Sequence, residues 1–294
     1  MIGTYRFYQD GVLIRETNNL ITAAGKIHII KYLAGYVGSI AEGIAVGSGS
    51  TAAVVGDTSL AFEWSRQPID VISTDQINTA IIFKGEIPAE SSGKIYEVGL
   101  WSAVTPGKEY DSRLILDFDS AIDIWSTGTW EVTTNRIGAN NLRLNPALST
   151  TQTASLAALS LDLSGYSALD EFRLAYNVNS AFVATAKLIL YTDASNYFTY
   201  TITTPTAGYK ITPFTKANFV VTGAPTWNNI TSIDVQVTST AGGSGSVDFD
   251  GLRIEDKSSN PEEYVLVSRA VLGAPITKAI GAPLEFEYSL DVTL

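Results

Sequence analysis

A single histidine, His28, and the absence of cysteine leave this chain little with which to do covalent or metal chemistry. A Ser-His-Asp arrangement could run only through His28, which has no nucleophile-elbow motif to serve. Cysteine nucleophiles, thiolate zinc sites and disulfides are excluded together, and a transition-metal site lacks nitrogen and sulfur ligands. What remains is carboxylate. Asp117 and Asp119 flank Phe118, and Asp248 and Asp250 flank Phe249. Two acids at i and i+2 of a strand share one face. Three readings stay open for them: a solvated strand face, a calcium site built from hard oxygen ligands, or the acid pair of a glycosidase.

Aromatic side chains offer the other chemistry, stacking on the apolar face of a sugar. Trp125, Trp130, Tyr197, Tyr200 and Trp227 are the candidates, although core packing is the commoner fate of Trp and Tyr. The run Gly47-Ser48-Gly49-Ser50-Thr51 invites comparison with a phosphate loop. It has no lysine at the Walker position and no helix-forming pattern after it, so a turn is expected. No catalytic residues are expected, and the chain reads as a non-enzyme.

The elements that must position these groups are nearly all strands. Thr, Ser, Val, Ile, Tyr and Gly dominate, which is strand-and-turn chemistry. Asp10-Gly11 between residues 5–8 and 12–15 is a hairpin signal. One helix is expected: Thr22 can cap it, Ile27, Ile30 and Leu33 supply an apolar stripe at helical spacing, and Gly35 can end it. Strands are expected over 43–46, 81–84 and 96–101. At the C-terminus Leu284, Phe286, Tyr288, Leu290, Val292 and Leu294 alternate with polar residues, a half-buried strand whose natural partners are the N-terminal strands.

Between these lies a stretch bounded by Pro106-Gly107-Lys108 and by Lys257-Ser258-Ser259-Asn260-Pro261. Short strands recur inside it, over 141–144, 172–178, 187–191, 197–203, 233–238 and 247–254. That pattern suggests a sandwich or jelly roll. The apolar phase shifts across Gly251, from Val247 and Phe249 to Leu252 and Ile254, which predicts a bulge. The expected architecture is all-β: a discontinuous, β-rich base domain with one short helix (residues 1–109 and 258–294), carrying an inserted jelly-roll sandwich (residues 110–257). Insertion is tolerated at loop tips, where chain ends lie close together.

With 294 residues and a hydrophobic fraction of 45%, two cores of average size can be buried. The net charge of −11 argues against nucleic acid and against an anionic membrane surface as partner. The first residues show no signal pattern, and no stretch reaches the length of a membrane span. Folding in a reducing cytoplasm without membrane insertion is expected.

Two resemblances extend this reading. Asn19-Leu20-Ile21-Thr22, then Ile44-Ala45-Val46-Gly47-Ser48-Gly49, then Gly56-Asp57-Thr58-Ser59-Leu60, then Glu97-Val98-Gly99-Leu100 resemble, in that order, a module of tailed-phage tail, baseplate and fibre proteins. The match spans about the first hundred residues. It implies a virion location, other virion proteins as partners, and a homo-oligomer, with a trimer expected from fibre-like phage proteins in general. Leu161-Asp162-Leu163-Ser164-Gly165-Tyr166, Trp227-Asn228-Asn229-Ile230 and Val247-Asp248-Phe249-Asp250-Gly251-Leu252 resemble the galactose-binding-like jelly rolls of carbohydrate-binding modules. That resemblance implies a host-surface glycan as ligand and a structural calcium, with Asp119 and Asp250 at the matching positions. Where that family often has two adjacent acids, this chain has Asp250-Gly251. Together the resemblances imply a structural component of a phage particle (tail fibre, baseplate or head fibre) whose jelly roll serves weak glycan adhesion. The alternatives are a pure scaffold or decoration protein and a small glycan depolymerase.

Overall fold

The fold comes from a computed structural model in which residues 2–103, 113–119, 124–257 and 264–291 are described. The boundary residues Pro106, Gly107 and Lys108, residues 258–261 and the last three, Val292 to Leu294, lie outside them. The chain is nearly all β, and it divides into two compact units, Met1–Lys108 with Asn260–Leu294, and Glu109–Ser259.

The first unit is built, among the described residues, from two antiparallel five-stranded sheets. One runs in the order Val12–Asn18, Ile2–Gln9, Leu284–Asp291, Ala80–Ile87, Val71–Asp75. The other runs Leu20–Ile21, Leu266–Lys278, Gly93–Trp101, Gly43–Gly47, Glu63–Pro68. Asp10 and Gly11 turn the first hairpin with φ of 52° and 73°, as a type I′ turn requires. The C-terminal alternation does what the sequence predicts. Leu284, Phe286, Tyr288 and Leu290 are buried, and the strand lies between Ile2–Gln9 and Ala80–Ile87. Both late strands therefore sit inside sheets started by the first hundred residues. Tyr5, Phe7, Phe83, Phe286 and Tyr288 from one sheet share a core with Ile44, Ile95 and Val98 from the other.

The helix spans Ala23–Leu33, capped by Thr22, whose Oγ1 accepts from Gly25 N at 2.9 Å, and followed by Gly35 at φ 77°. Its expected stripe faces the wrong way. Gly25, His28 and Ile29 are the buried positions, while Ile27, Ile30 and Leu33 are exposed. Gly25 explains the choice. A Cβ there would stand 2.0 Å from the Val267 carbonyl oxygen, so only a glycine lets the helix backbone lie against that strand, and the i+3 and i+4 neighbours follow it inward. His28 lies in this packed face, its Nε2 3.1 Å from the Ser39 carbonyl oxygen.

The second unit is an antiparallel sandwich of the jelly-roll kind. One sheet runs Thr129–Glu131, Asn141–Leu144, Val247–Glu255, Glu171–Val178, Gly208–Thr215, with Arg113–Leu116 also paired to Val247–Glu255. The other runs Thr151–Leu156, Ser232–Ser239, Val183–Asp193, Asn196–Thr203, Val220–Thr222. The predicted bulge is there. Phe249 pairs with Tyr176 and Gly251 with Ala175, which leaves Asp250 without a partner opposite it and resets the inward phase at Leu252.

Candidate functional site

The four acids do not gather into one chemical centre. Asp248 Oδ1 accepts from Arg143 Nε at 2.6 Å, and its Oδ2 accepts from Arg143 Nη2 at 2.9 Å and Thr134 Oγ1 at 2.6 Å. Burial works against its charge, but Arg143 and the hydroxyl outweigh it and hold the carboxyl below its ordinary value. Asp250 is wholly buried and accepts from Arg136 N at 2.9 Å, from Ile137 N and from Tyr209 Oη. Burial pushes it up to about 7 despite those donors. Asp119 Oδ2 accepts from Ala139 N at 2.6 Å, and burial raises Asp117 above its ordinary value. Asp119 and Asp250 thus grip one short loop, residues 135–139, by its backbone N–H groups. The Arg136 guanidinium lies 3.9 Å over the Tyr209 ring, closing the same loop.

That donor set does not fit a calcium cage. Calcium takes about six to eight oxygen ligands, whereas both oxygens of Asp250 and Oδ2 of Asp119 are already turned to N–H and O–H groups. Among the described residues no three His, Cys, Asp or Glu side chains group as metal ligands. Nor do the pairs suit an acid–base couple: Asp248 is held by Arg143, and Asp250 lies out of solvent's reach.

The aromatic candidates part company. Trp125 is a core residue, stacked on Phe118 with centroids 5.2 Å apart, and offers no free face. Trp227 closes one end of the core, stacked on Phe198 at 3.8 Å with Lys216 Nζ 5.0 Å from its ring. Tyr200 stacks on Phe214 and packs against the same core. Trp130 sits on the edge strand Thr129–Glu131 and is 41% exposed. Tyr197 differs from all of these: it stands on the outer face of the five-stranded sheet.

That face follows from strand alternation. Ile233, Val235 and Val237 point into the core, so Asp234, Gln236 and Thr238 point out. Register then assembles rows across it. Ser232, Tyr191, Tyr197 and Thr222 form one row; Ser155, Asp234, Ile189 and Thr199 the next; Thr153, Gln236, Lys187 and Thr201 a third. The Tyr191 and Tyr197 rings lie 5.1 Å apart at 50°. Burial, then the neighbouring Asp234 carboxylate, push the Tyr191 hydroxyl up to about 12, so it stays a donor, hydrogen-bonded to Asp234. Two half-exposed rings, a carboxylate and an amide on a field of hydroxyls can stack on a sugar ring and exchange hydrogen bonds with its hydroxyls. Tyr191 and Asp234 escape a reading of the sequence alone. The alternation over 233–238 puts Asp234 outward, but only the register brings it to Tyr191.

No family model matches the chain, and no curated protein matches it. Solved structures do. The family 11 carbohydrate-binding module from Clostridium thermocellum, in complex with a β-1,3-1,4-mixed-linked tetrasaccharide, is 13% identical with a TM-score of 0.40, over 50% of this chain and 97% of that one. A family 30 carbohydrate-binding module is 14% identical with a TM-score of 0.37, over 60% and 89%. An exo-β-agarase is 12% identical with a TM-score of 0.36, and only 26% of its chain is covered. At scores this low the likeness assigns no ligand. The solved structures to which this chain is similar include carbohydrate-binding modules and parts of glycoside hydrolases.

Proposed function

We propose that the protein binds a glycan without turning it over, through the outer face of the sheet that carries Tyr191, Tyr197, Asp234 and Gln236. The tyrosine pair carries this reading: two rings side by side on an otherwise hydroxyl-rich open face. Stacking on adjacent sugar rings is what such a pair can do, and Asp234 and Gln236 supply acceptors and donors beside it. In the sandwich, Asp119, Asp248 and Asp250 are engaged by backbone N–H groups or by Arg143, which favours binding over hydrolysis.

In the finer reading, the chain is a structural component of a tailed-phage particle (tail fibre, baseplate or head fibre). It is made in the host cytoplasm, holds to other virion proteins through the unit of residues 1–108 and 260–294, and offers its inserted sandwich to the host-surface glycan. The ordered phage-type motifs of the first hundred residues support it. Weak sites repeated over many copies gain by avidity. A glycan array probed with the full chain tests the binding. Loss of the signal in Tyr197→Ala with unchanged thermal stability supports the reading. No binding at high valency overturns it and leaves a scaffold. Detection of the chain in purified particles tests the location.

A further inference from the structure

The helix Ala23–Leu33 presents to solvent the stripe that its sequence pattern would bury. Ile27, Ile30 and Leu33 are 56%, 63% and 73% exposed, and Tyr36 just beyond the helix is 82% exposed. Apolar side chains contiguous at helical spacing on an open face mark an interaction surface. This face is also basic: the helix carries Lys26 and Lys31 and no acid, on a chain of net charge −11.

A surface of opposite character lies on the sheet that contains Leu284–Asp291. Across its outer face one row alternates in sign: Glu16, Arg6, Glu287, Lys84, with Arg6 3.0 Å from Glu287 and Lys84 3.0 Å from it on the other side. The next row does not. Glu285 pairs directly with Glu86, with Tyr8 on the other side of Glu285, and Asp70 lies in the same groove. Like charges opposed across strands are destabilising. None of these three carboxylates has a cation within ion-pairing distance among the described residues, and Lys278 reaches Glu86 only at longer range. The groove is about 450 Å³; Val71 is the exposed apolar residue of its lining, Lys84, held by Glu287, also lies in it, and the exposed Leu13 is on the same face through its pairing with Tyr8.

We propose that the helix stripe of one copy seats in this acidic groove of a second copy. The apolar residues Ile27, Ile30 and Leu33 would cover Val71 and Leu13, and Lys26 would supply charge that Glu285, Glu86 and Asp70 lack. No helix residue lines the groove of its own copy, so the partner must be another chain. The two patches differ, which makes the contact heterologous: each copy uses its helix on one neighbour and its groove on another, and the series closes as a ring or grows as a filament. This interface goes beyond the glycan reading and does not rest on it.

Sedimentation velocity of the full chain over a concentration series tests it. The wild type should associate reversibly. Ile30→Asp with Leu33→Asp, and separately Glu86→Lys with Glu285→Lys, should each weaken association by about tenfold or more. An equimolar mixture of the two variants retains one intact helix and one intact groove, so it should form a 1:1 complex that grows no further. Lys26→Glu should weaken association and regain it when mixed with Glu285→Lys. A wild type that stays monomeric throughout overturns the proposal. So does a groove variant that assembles like wild type, or a variant mixture that forms no heterodimer while both chains keep the wild-type unfolding midpoint.

Discussion

Arg269 donates to Glu97 through Nε at 3.0 Å and Nη2 at 2.7 Å, across 172 residues of sequence. Both side chains are buried. Glu97 also accepts from Gly49, Ala61 and Phe62 backbone N–H groups, and Arg269 from its side reaches Asp57 at 2.8 Å. The motif runs around Gly47–Gly49, Asp57 and Glu97 thus converge on one ion pair whose second partner lies beyond the insertion. Breaking a buried pair leaves an uncompensated charge, which costs about 3–5 kcal/mol. Arg269→Met should lower stability by that order in urea titrations. Gly49→Ala should also destabilise, since a Cβ there would stand 2.5 Å from Glu97 Oε1.

The same relationship predicts how the chain may be cut. Residues 1–106 lack Leu266–Lys278 and Leu284–Asp291, which lie inside the two sheets of the first unit. That fragment should be insoluble or molten, with unpaired strands exposed. Replacing residues 110–257 by a short linker should leave a soluble unit with a cooperative unfolding transition. A stable 1–106 beside an aggregating deletion variant would show two domains in series instead.

Much of the scaffold is legible in the sequence because period and turn chemistry are local. The Asp10-Gly11 turn, the C-terminal alternation and the phase slip at Asp250 each follow from neighbouring residues. The helix face is not legible, since the close approach of Gly25 to Val267 involves a strand some 240 residues later and outweighs the apolar stripe. The site is legible only in part for the same reason. Tyr197 can be picked out by type, but its pairing with Tyr191 depends on register. Trp125 shows the converse: an aromatic suited to sugar by type is spent on the core beside Phe118.

Calcium should have little effect on this protein. Asp119 and Asp250 hold Ala139, Arg136 and Ile137 N–H groups, and a cation would have to break those bonds to enter. Unfolding midpoints in excess calcium and in excess chelator should coincide. A calcium-dependent rise that Asp250→Asn abolishes would show that the two carboxylates close on an ion instead of on the loop.

Stability should fall on both sides of a mildly acidic optimum, for opposite reasons. Asp250 has a folded value of about 7 against an ordinary 3.8, because burial disfavours its charge. The folded protein binds that proton more tightly than the unfolded chain, so its contribution is complete below about pH 4 and is lost as pH rises toward about 7. Glu255 is the reverse case. Burial raises it, but Arg253 and Arg173 together outweigh burial and hold it at about 2 against 4.5, so its contribution is present above about pH 4.5 and lost as pH falls toward about 2. Thermal unfolding should therefore show a midpoint that declines from about pH 5 to about pH 8 in the wild type. Asp250→Asn, which keeps one acceptor for Arg136 and carries no charge, should flatten that decline and leave the acid limb intact. An unchanged alkaline slope in this variant would mean that Asp250 is ionised in the fold, paired closely enough with Arg136 to offset its burial.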